Sequence, residues 1–275
     1  MLEKGAFEVS EVCELLGRKG LDFKPLLEND IYAQFSVTTG AGATARDHEV
    51  FNSFKVVTVY PATRKDIDKF SKEEQELISE SREEYLAVTL PYLQAQKNLN
   101  WVYNILEKKN EAERIIYEDP DSATGFLLVP DLKWEASRLS ELYCLALCQD
   151  RTIRSLRDLR ACHLPLLKKI RDEGSLAITR RYGIPQKKIR MLFHYQPSFY
   201  HLHVHFTHID GEAKGFQVGR AHLLDDVIDN IETVDPNFYE KKTLYYALSV
   251  TEELHMNLTH YKEAQQQQQQ QQQQQ

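Results

Sequence analysis

Between His194 and His208 the chain places five of its ten histidines, and three of them, His201, His203 and His205, alternate with Leu202, Val204 and Phe206. On a β-strand successive side chains point to opposite faces. A strand here would therefore project three imidazoles from one face while Leu202, Val204 and Phe206 enter a core, so one segment couples a chemical surface to a packing surface. A lone histidine is more often a satisfied structural residue; a row of three on one face is not accounted for that way.

Two chemistries suit such a row. Histidines at i and i+2 can bind one zinc ion, ideally completed by a carboxylate or cysteine, yet no acidic residue lies inside the strand. Alternatively a neutral imidazole attacks phosphorus, its second nitrogen held by an acceptor, while neighbouring histidines and cations offset charge on the phosphoryl oxygens. The sequence supplies the cations: residues 151–190 carry 12 Lys or Arg against 3 Asp or Glu, a local +9 that leaves −16 elsewhere and −7 in total. Within it Arg151, Arg154, Arg157 and Arg160 recur every third residue, which predicts neighbouring cations along a solvated helix face.

Composition bounds the rest. The 275 residues, 42% hydrophobic and 27% charged, predict a globular chain of one large domain or two small ones. No apolar run approaches the roughly 18 residues of a membrane-spanning helix, and the start lacks the apolar stretch of a secretory signal, which implies a location inside the cell. Cys13, Cys144, Cys148 and Cys162 form no Cys-x-x-Cys pair and read as buried thiols.

Along the chain, a helical pattern near Val9–Leu16 and the β-branched run Phe54–Tyr60 predict a first α+β module over residues 1–60, closed by Pro61. A boundary follows at 61–70, where the resemblance given below implies a hinge. Ser71-Lys-Glu-Glu74 reads as a capping box opening a helix to about Thr89, which Pro91 disturbs. Further helices are predicted at about 101–109, 135–148 and 156–182, the last capped by Ser155 and stopped by Gly183. Strands are predicted at Arg114–Tyr117, Phe126–Val129, Ile189–Tyr195, Tyr200–Ile209 and Thr243–Val250. Gln265–Gln275 is low complexity, so residues 263–275 are expected to be disordered.

His201-Leu-His-Val-His-Phe206 resembles the motif of the histidine triad superfamily of nucleotide hydrolases and transferases. With it, His194-Tyr-Gln-Pro-Ser-Phe-Tyr, Arg220-Ala-His-Leu-Leu224, Asp131-Leu-Lys-Trp134, Trp101-Val-Tyr-Asn-Ile-Leu106 and Ser155-Leu-Arg-Asp-Leu159 together resemble the scavenger mRNA decapping enzymes, over roughly residues 2–262. The resemblance implies an α+β histidine-triad domain over 71–262, with an antiparallel sheet and packed helices, behind a small amino-terminal α+β dimerisation and lid domain. It implies hydrolysis, without a metal cofactor, of the 7-methylguanosine cap on free dinucleotides and short capped oligonucleotides left by 3′ to 5′ mRNA decay. The products are 7-methyl-GMP and a nucleoside diphosphate.

By position, His203 would be the nucleophile that forms a transient nucleotidyl-histidine. His194, Ser198, His205, Lys133 and Arg220 would hold the phosphates, and His201 would orient its neighbour. Methylation makes guanine cationic and favours stacking on an indole; Trp101 matches that stacking residue, Glu111 the carboxylate that accepts from the guanine edge, and Leu132 the opposite wall, with Asp131 beside it. Asn29 and Tyr32 would reach the pocket as the amino-terminal domain closes. The resemblance further implies a homodimer that exchanges these domains, a location in cytoplasm and nucleus, and no membrane or duplex nucleic-acid partner. Set against it, Met1 falls inside an early strand of the family's amino-terminal domain, so the preceding strands are expected to be missing and the exchange weakened. Other readings are a triad hydrolase of different dinucleoside polyphosphates, a non-catalytic cap-binding or interaction module, and a zinc-dependent hydrolase.

Overall fold

The histidine strand forms its ladder at the centre of an antiparallel sheet. In the computed structural model the described residues are 21–29, 32–39, 53–59, 74–95, 99–109, 111–131, 134, 138–211, 215 and 217–273. The chain divides into two units, Met1–Glu73 and Glu74–Gln275. The sequence features at 9–16 and 61–70, the hinge among them, lie outside the described residues.

In the first unit, strands β1 (Leu21–Asn29), β2 (Tyr32–Thr39) and β3 (Ser53–Val59) form a three-stranded antiparallel meander. Pro25 cannot donate to the ladder, and the β1–β2 register shifts between Pro25 and Leu27. Val37 is buried, whereas Asp22 and Lys24 are exposed.

The second unit opens with strand β4 (Gln75–Glu80) where a helix start is predicted. Pairing with β11 (Leu244–Ser249), from Leu244 opposite Glu80 to Ser249 opposite Gln75, overrides the helical preference of its glutamates. The capping box falls ten residues later than predicted, at Ser81–Glu84: Ser81 Oγ accepts from the Glu84 N–H at 3.2 Å, and Glu84 accepts from the Ser81 N–H at 2.6 Å. The helix it opens, α1, runs through Arg82–Glu84, a π turn Tyr85–Thr89 and Leu90–Ala95. Pro91 is tolerated because the π turn, with Leu90 N–H donating to Tyr85 O, has already left the ordinary i→i−4 ladder.

Helix α2 (Asn100–Leu106) precedes a six-stranded antiparallel sheet of order β10-β8-β9-β7-β6-β5. Its members are β5 (Tyr117–Glu118), β6 (Phe126–Pro130), β7 (Tyr143–Cys148), β8 (Ile189–His194), β9 (His203–His208) and β10 (Ala221–Leu223). β7 replaces the helix predicted over 135–148: its Cys-Leu-Ala-Leu-Cys run is buried throughout, which hides the two-residue period of a strand. Arg114 lies in a 3₁₀ turn, Ala112–Arg114, rather than a strand. β9 is shorter than the predicted 200–209, although the Cys148 N–H donates to Leu202 O at 3.2 Å and keeps His201 in line with it.

Ser155 caps only the 3₁₀ turn Leu156–Asp158, accepting from the Arg157 N–H at 3.3 Å. Helix α3 starts later and runs through Leu164–Lys169, Ile170–Gly174 and Ser175–Tyr182, ending at Gly183 with φ 71°. Helices α4 (Leu224–Asp229, continued by Asn230–Val234), α5 (Phe238–Lys241) and α6 (Glu253–Gln273) complete the unit. The tail expected to be disordered is thus helical as far as Gln273. Glutamine is a fair helix former, and once Leu254 and Leu258 are buried the costly nucleus is already formed. Among the described residues no helix is long and apolar enough to cross a membrane.

The alternation around β9 sorts the two faces as its pattern requires. Leu202, Val204 and Phe206 join Phe126, Cys144, Ala146 and Phe193 beneath Leu166, Leu167, Ile170 and Ile178 of α3; each large apolar side chain so buried contributes roughly 1.5–3 kcal/mol. α3 lies so close that a Cβ added to Gly174 would come within 2.6 Å of the Phe206 ring. On the other face Leu127, Val129, Leu145 and Leu147 pack against Val102, Ile105 and Leu106 of α2. Leu147 pairs with His203 and Leu145 with His205, so the imidazoles lie beside this second, smaller cluster. Cys144 and Cys148 are buried as expected, whereas Cys162 is exposed.

Candidate active site

His203 is 4% exposed, and its Nδ1 lies 2.7 Å from the backbone oxygen of His201. A carbonyl only accepts, so Nδ1 carries the proton and Nε2 keeps its lone pair. That Nε2 is buried and has no hydrogen-bond partner among the described residues. Burial, the largest influence, pushes His203 down to about 4, against a favourable bond to His201 O. It is therefore a neutral, singly tethered imidazole with a bare in-plane nitrogen, the form a nucleophile requires.

The neighbouring rings are fixed by their own partners. His201 Nε2 donates to Cys148 O at 2.8 Å, and burial lowers its pKa. His205 Nδ1 lies 3.0 Å from the Tyr143 hydroxyl, and its ring centroid is 4.8 Å from that of His203. His194, the last residue of β8, tilts against His205 with centroids 4.0 Å apart. Burial first, then the positive charge of Arg220, pushes His194 down to about 3. Gly215, at φ 109°, lets its backbone approach this ring: a Cβ there would lie 2.7 Å from His194 Nε2. The Arg220 side chain is exposed while its backbone oxygen accepts from the Tyr195 N–H at 2.8 Å. Ser198 is exposed in the loop between β8 and β9.

Trp101, in the first turn of α2, remains 43% exposed despite its size, and meets Phe199 edge to face at 4.8 Å. Phe199 in turn stacks on His203, with centroids 3.9 Å apart. Glu111 adopts a left-handed conformation, φ 59°, and pairs with Arg114, which also donates to Pro130 O at 3.1 Å and Asp131 O at 3.4 Å. A carboxylate offers about four acceptor positions, so the Arg114 contact leaves room for a base edge. The Asp131 N–H donates to Tyr143 O at 2.9 Å, which ties this segment to the strand bearing the His205 partner.

His194, His201, His203, His205, Trp101, Glu111, Asp131, Ser198 and Arg220 thus all belong to the second unit. Leu132 and Lys133 lie outside the described residues. Asn29 and Tyr32 belong to the first unit, where their backbones pair across the β1–β2 turn; their side chains lie outside the described residues. Three contributors escaped the sequence reading. Tyr143 sits on the strand misread as a helix, Arg114 was detectable from its i,i+3 spacing to Glu111, and Phe199 lay inside the quoted motif without a role. Among the described residues no group of three or more His, Cys, Asp or Glu is arranged to hold a metal ion.

Residues 100–220 match the family described as scavenger mRNA decapping enzyme, C-term binding, and residues 1–73 the family described as scavenger mRNA decapping enzyme, N-terminal. The m7GpppX diphosphatase of Bos taurus is 44% identical over 255 residues, 92% of this chain and 73% of that protein. The m7GpppX diphosphatase of Homo sapiens is 44% identical over 256 residues, 92% and 73% of the two chains. The one from Schizosaccharomyces pombe is 36% identical over 263 residues, 94% and 84%.

Proposed function

The chain belongs to the scavenger mRNA decapping enzyme family, and from that premise we propose that His203 carries its m7GpppX diphosphatase reaction. The observation that supports this most directly is the bare Nε2 of a neutral His203 whose Nδ1 is already bonded to His201 O. Nε2 donates its lone pair to the phosphorus attached to 7-methylguanosine; the anhydride P–O bond breaks, and the departing nucleoside diphosphate keeps that electron pair. Water then attacks the phosphorus, the P–N bond breaks back to the imidazole, and 7-methyl-GMP leaves. His194, His205, Ser198, Lys133 and Arg220 hold the phosphate oxygens, and no metal takes part.

Trp101 stacks on the cationic base, Glu111 accepts from its edge, Leu132 closes the opposite side and Asp131 belongs to the same segment. Asn29 and Tyr32 reach the site when the amino-terminal unit closes. The same proposal includes a homodimer with exchanged amino-terminal units, to be read by sedimentation of the purified chain, and residence in cytoplasm and nucleus.

The test is a product assay on a methylated cap dinucleotide beside its unmethylated counterpart and a chelator control. Methyl-dependent, chelator-resistant release of 7-methyl-GMP is expected. Equal turnover of the unmethylated dinucleotide would favour a general dinucleoside polyphosphate hydrolase, tight binding without turnover a cap-binding module, and loss to the chelator with recovery on zinc a metallohydrolase. In the same assay Trp101→Ala is expected to raise KM roughly tenfold, the scale of a desolvated cation–π contact. Because Trp101 is half exposed, its loss should leave the melting temperature nearly unchanged; a collapse of the fold would return Trp101 to the core.

A further inference from the structure

A single hydrogen bond from Nδ1 to His201 O fixes one atom of the His203 ring but leaves the plane free to turn about that bond. The lone pair of Nε2 lies in the ring plane, so a turned ring aims it away from the phosphorus. Phe199 removes this freedom. Its ring lies face-on to His203, with centroids 3.9 Å and planes 12° apart. Phe199 is held in turn by the edge of Trp101, 4.8 Å away at 75°, and by the apolar cluster of α2, β6 and β7. We infer that Phe199 is a positioning residue for the nucleophile, its ring setting the plane of His203 and thereby the direction of the Nε2 lone pair. This rests on the assignment of His203 above.

The stack also covers one face of the imidazole against water. The groups facing His203 are His201 through its carbonyl and ring, His205 at 4.8 Å, and His194, which feels both His203 and Arg220. Burial opposes a proton on His203 most strongly, and a charge on the His201 ring would oppose it further, against the bond to His201 O. Opening the covered face admits water, which stabilises the imidazolium and moves its titration up toward the ordinary histidine value.

Phe199→Leu keeps apolar volume without a flat face, whereas Phe199→Tyr keeps the ring. Turnover of the methylated cap dinucleotide is measured for both across pH, together with the His203 titration by NMR. Because small misplacements of a reacting group cost large factors in rate, Phe199→Leu is expected to lower kcat about tenfold or more with KM changed by less than about threefold. Its acid limb and the His203 titration should both move up by about one pH unit. Phe199→Tyr is expected to stay near wild type in both. A Leu variant with wild-type kcat and unmoved titration overturns the inference, as does an equal loss in Leu and Tyr. A wild-type chain that never turns over the cap defeats the nucleophile assignment instead, which separates the two failures.

Discussion

His203→Asn is expected to bind the methylated cap at close to wild-type affinity and to release no measurable 7-methyl-GMP, a loss of at least about 10³-fold in kcat. Asparagine keeps a nitrogen able to donate to His201 O, so the local backbone retains its partner, but it offers no lone pair to phosphorus. Trp101 and Glu111, proposed above to hold the base, are untouched by the change. Retained binding is therefore also the control for folding, because an unfolded chain would lose both properties together. His201→Asn should be milder: the His201 ring donates to Cys148 O, whereas it is the backbone oxygen of His201, kept in the variant, that orients His203. Turnover by His203→Asn within about tenfold of wild type would defeat the nucleophile assignment.

The two faces of the histidine strand were legible because a strand of period two writes its faces directly into the sequence. Leu202, Val204 and Phe206 enter the core while His203 and His205 take the opposite face, as the alternation requires. β7 was illegible for the converse reason: packed on both faces, Cys144-Leu-Ala-Leu-Cys148 shows no alternation, and its Leu and Ala are equally good helix formers. With β7 misread, Tyr143 could not be set beside His205. β4 failed through tertiary override, since its glutamate-rich start prefers a helix until β11 supplies a ladder. The Arg-x-x-Arg row failed because spacing reports neighbours along the chain, whereas each arginine here is claimed by a distant or separate acid. Arg151 pairs with Glu107, Arg154 with Asp158 and Arg160 with Glu240.

The remaining arginine of that row, Arg157, is the largest departure from the solvated face that its spacing predicts, and removing it should be the most damaging single change to stability. Its side chain is 1% exposed and pairs with Glu80, itself fully buried, at 2.7 Å. Nη1 donates to Tyr239 O at 3.2 Å and to Lys242 O at 2.5 Å, and Nη2 to the backbone oxygen of Glu80 at 2.8 Å. The carboxylate also accepts from Tyr195 at 2.5 Å, Thr89 at 2.5 Å, Tyr246 at 2.8 Å and Gln196 at 3.3 Å. One ion pair therefore ties β4, α1, β11, α5 and the start of the β8–β9 loop. Arg157→Met leaves a buried carboxylate without its countercharge and removes the guanidinium donor from three backbone carbonyls, those of Glu80, Tyr239 and Lys242. The expected loss is about 3–5 kcal/mol in urea unfolding, because an orphaned charge costs more than the pair contributes. Adding Glu80→Gln to Arg157→Met should recover part of it, since the charge then disappears from the interior. A single-variant loss below about 1 kcal/mol would mean that water reaches the site and screens the pair. Gln196 accepts in turn from Tyr200 at 2.8 Å, so the loop bearing Ser198 and Phe199 hangs from the same carboxylate. In Arg157→Met, kcat should therefore fall together with stability, whereas Trp101→Ala leaves the fold intact and weakens only the grip on the base.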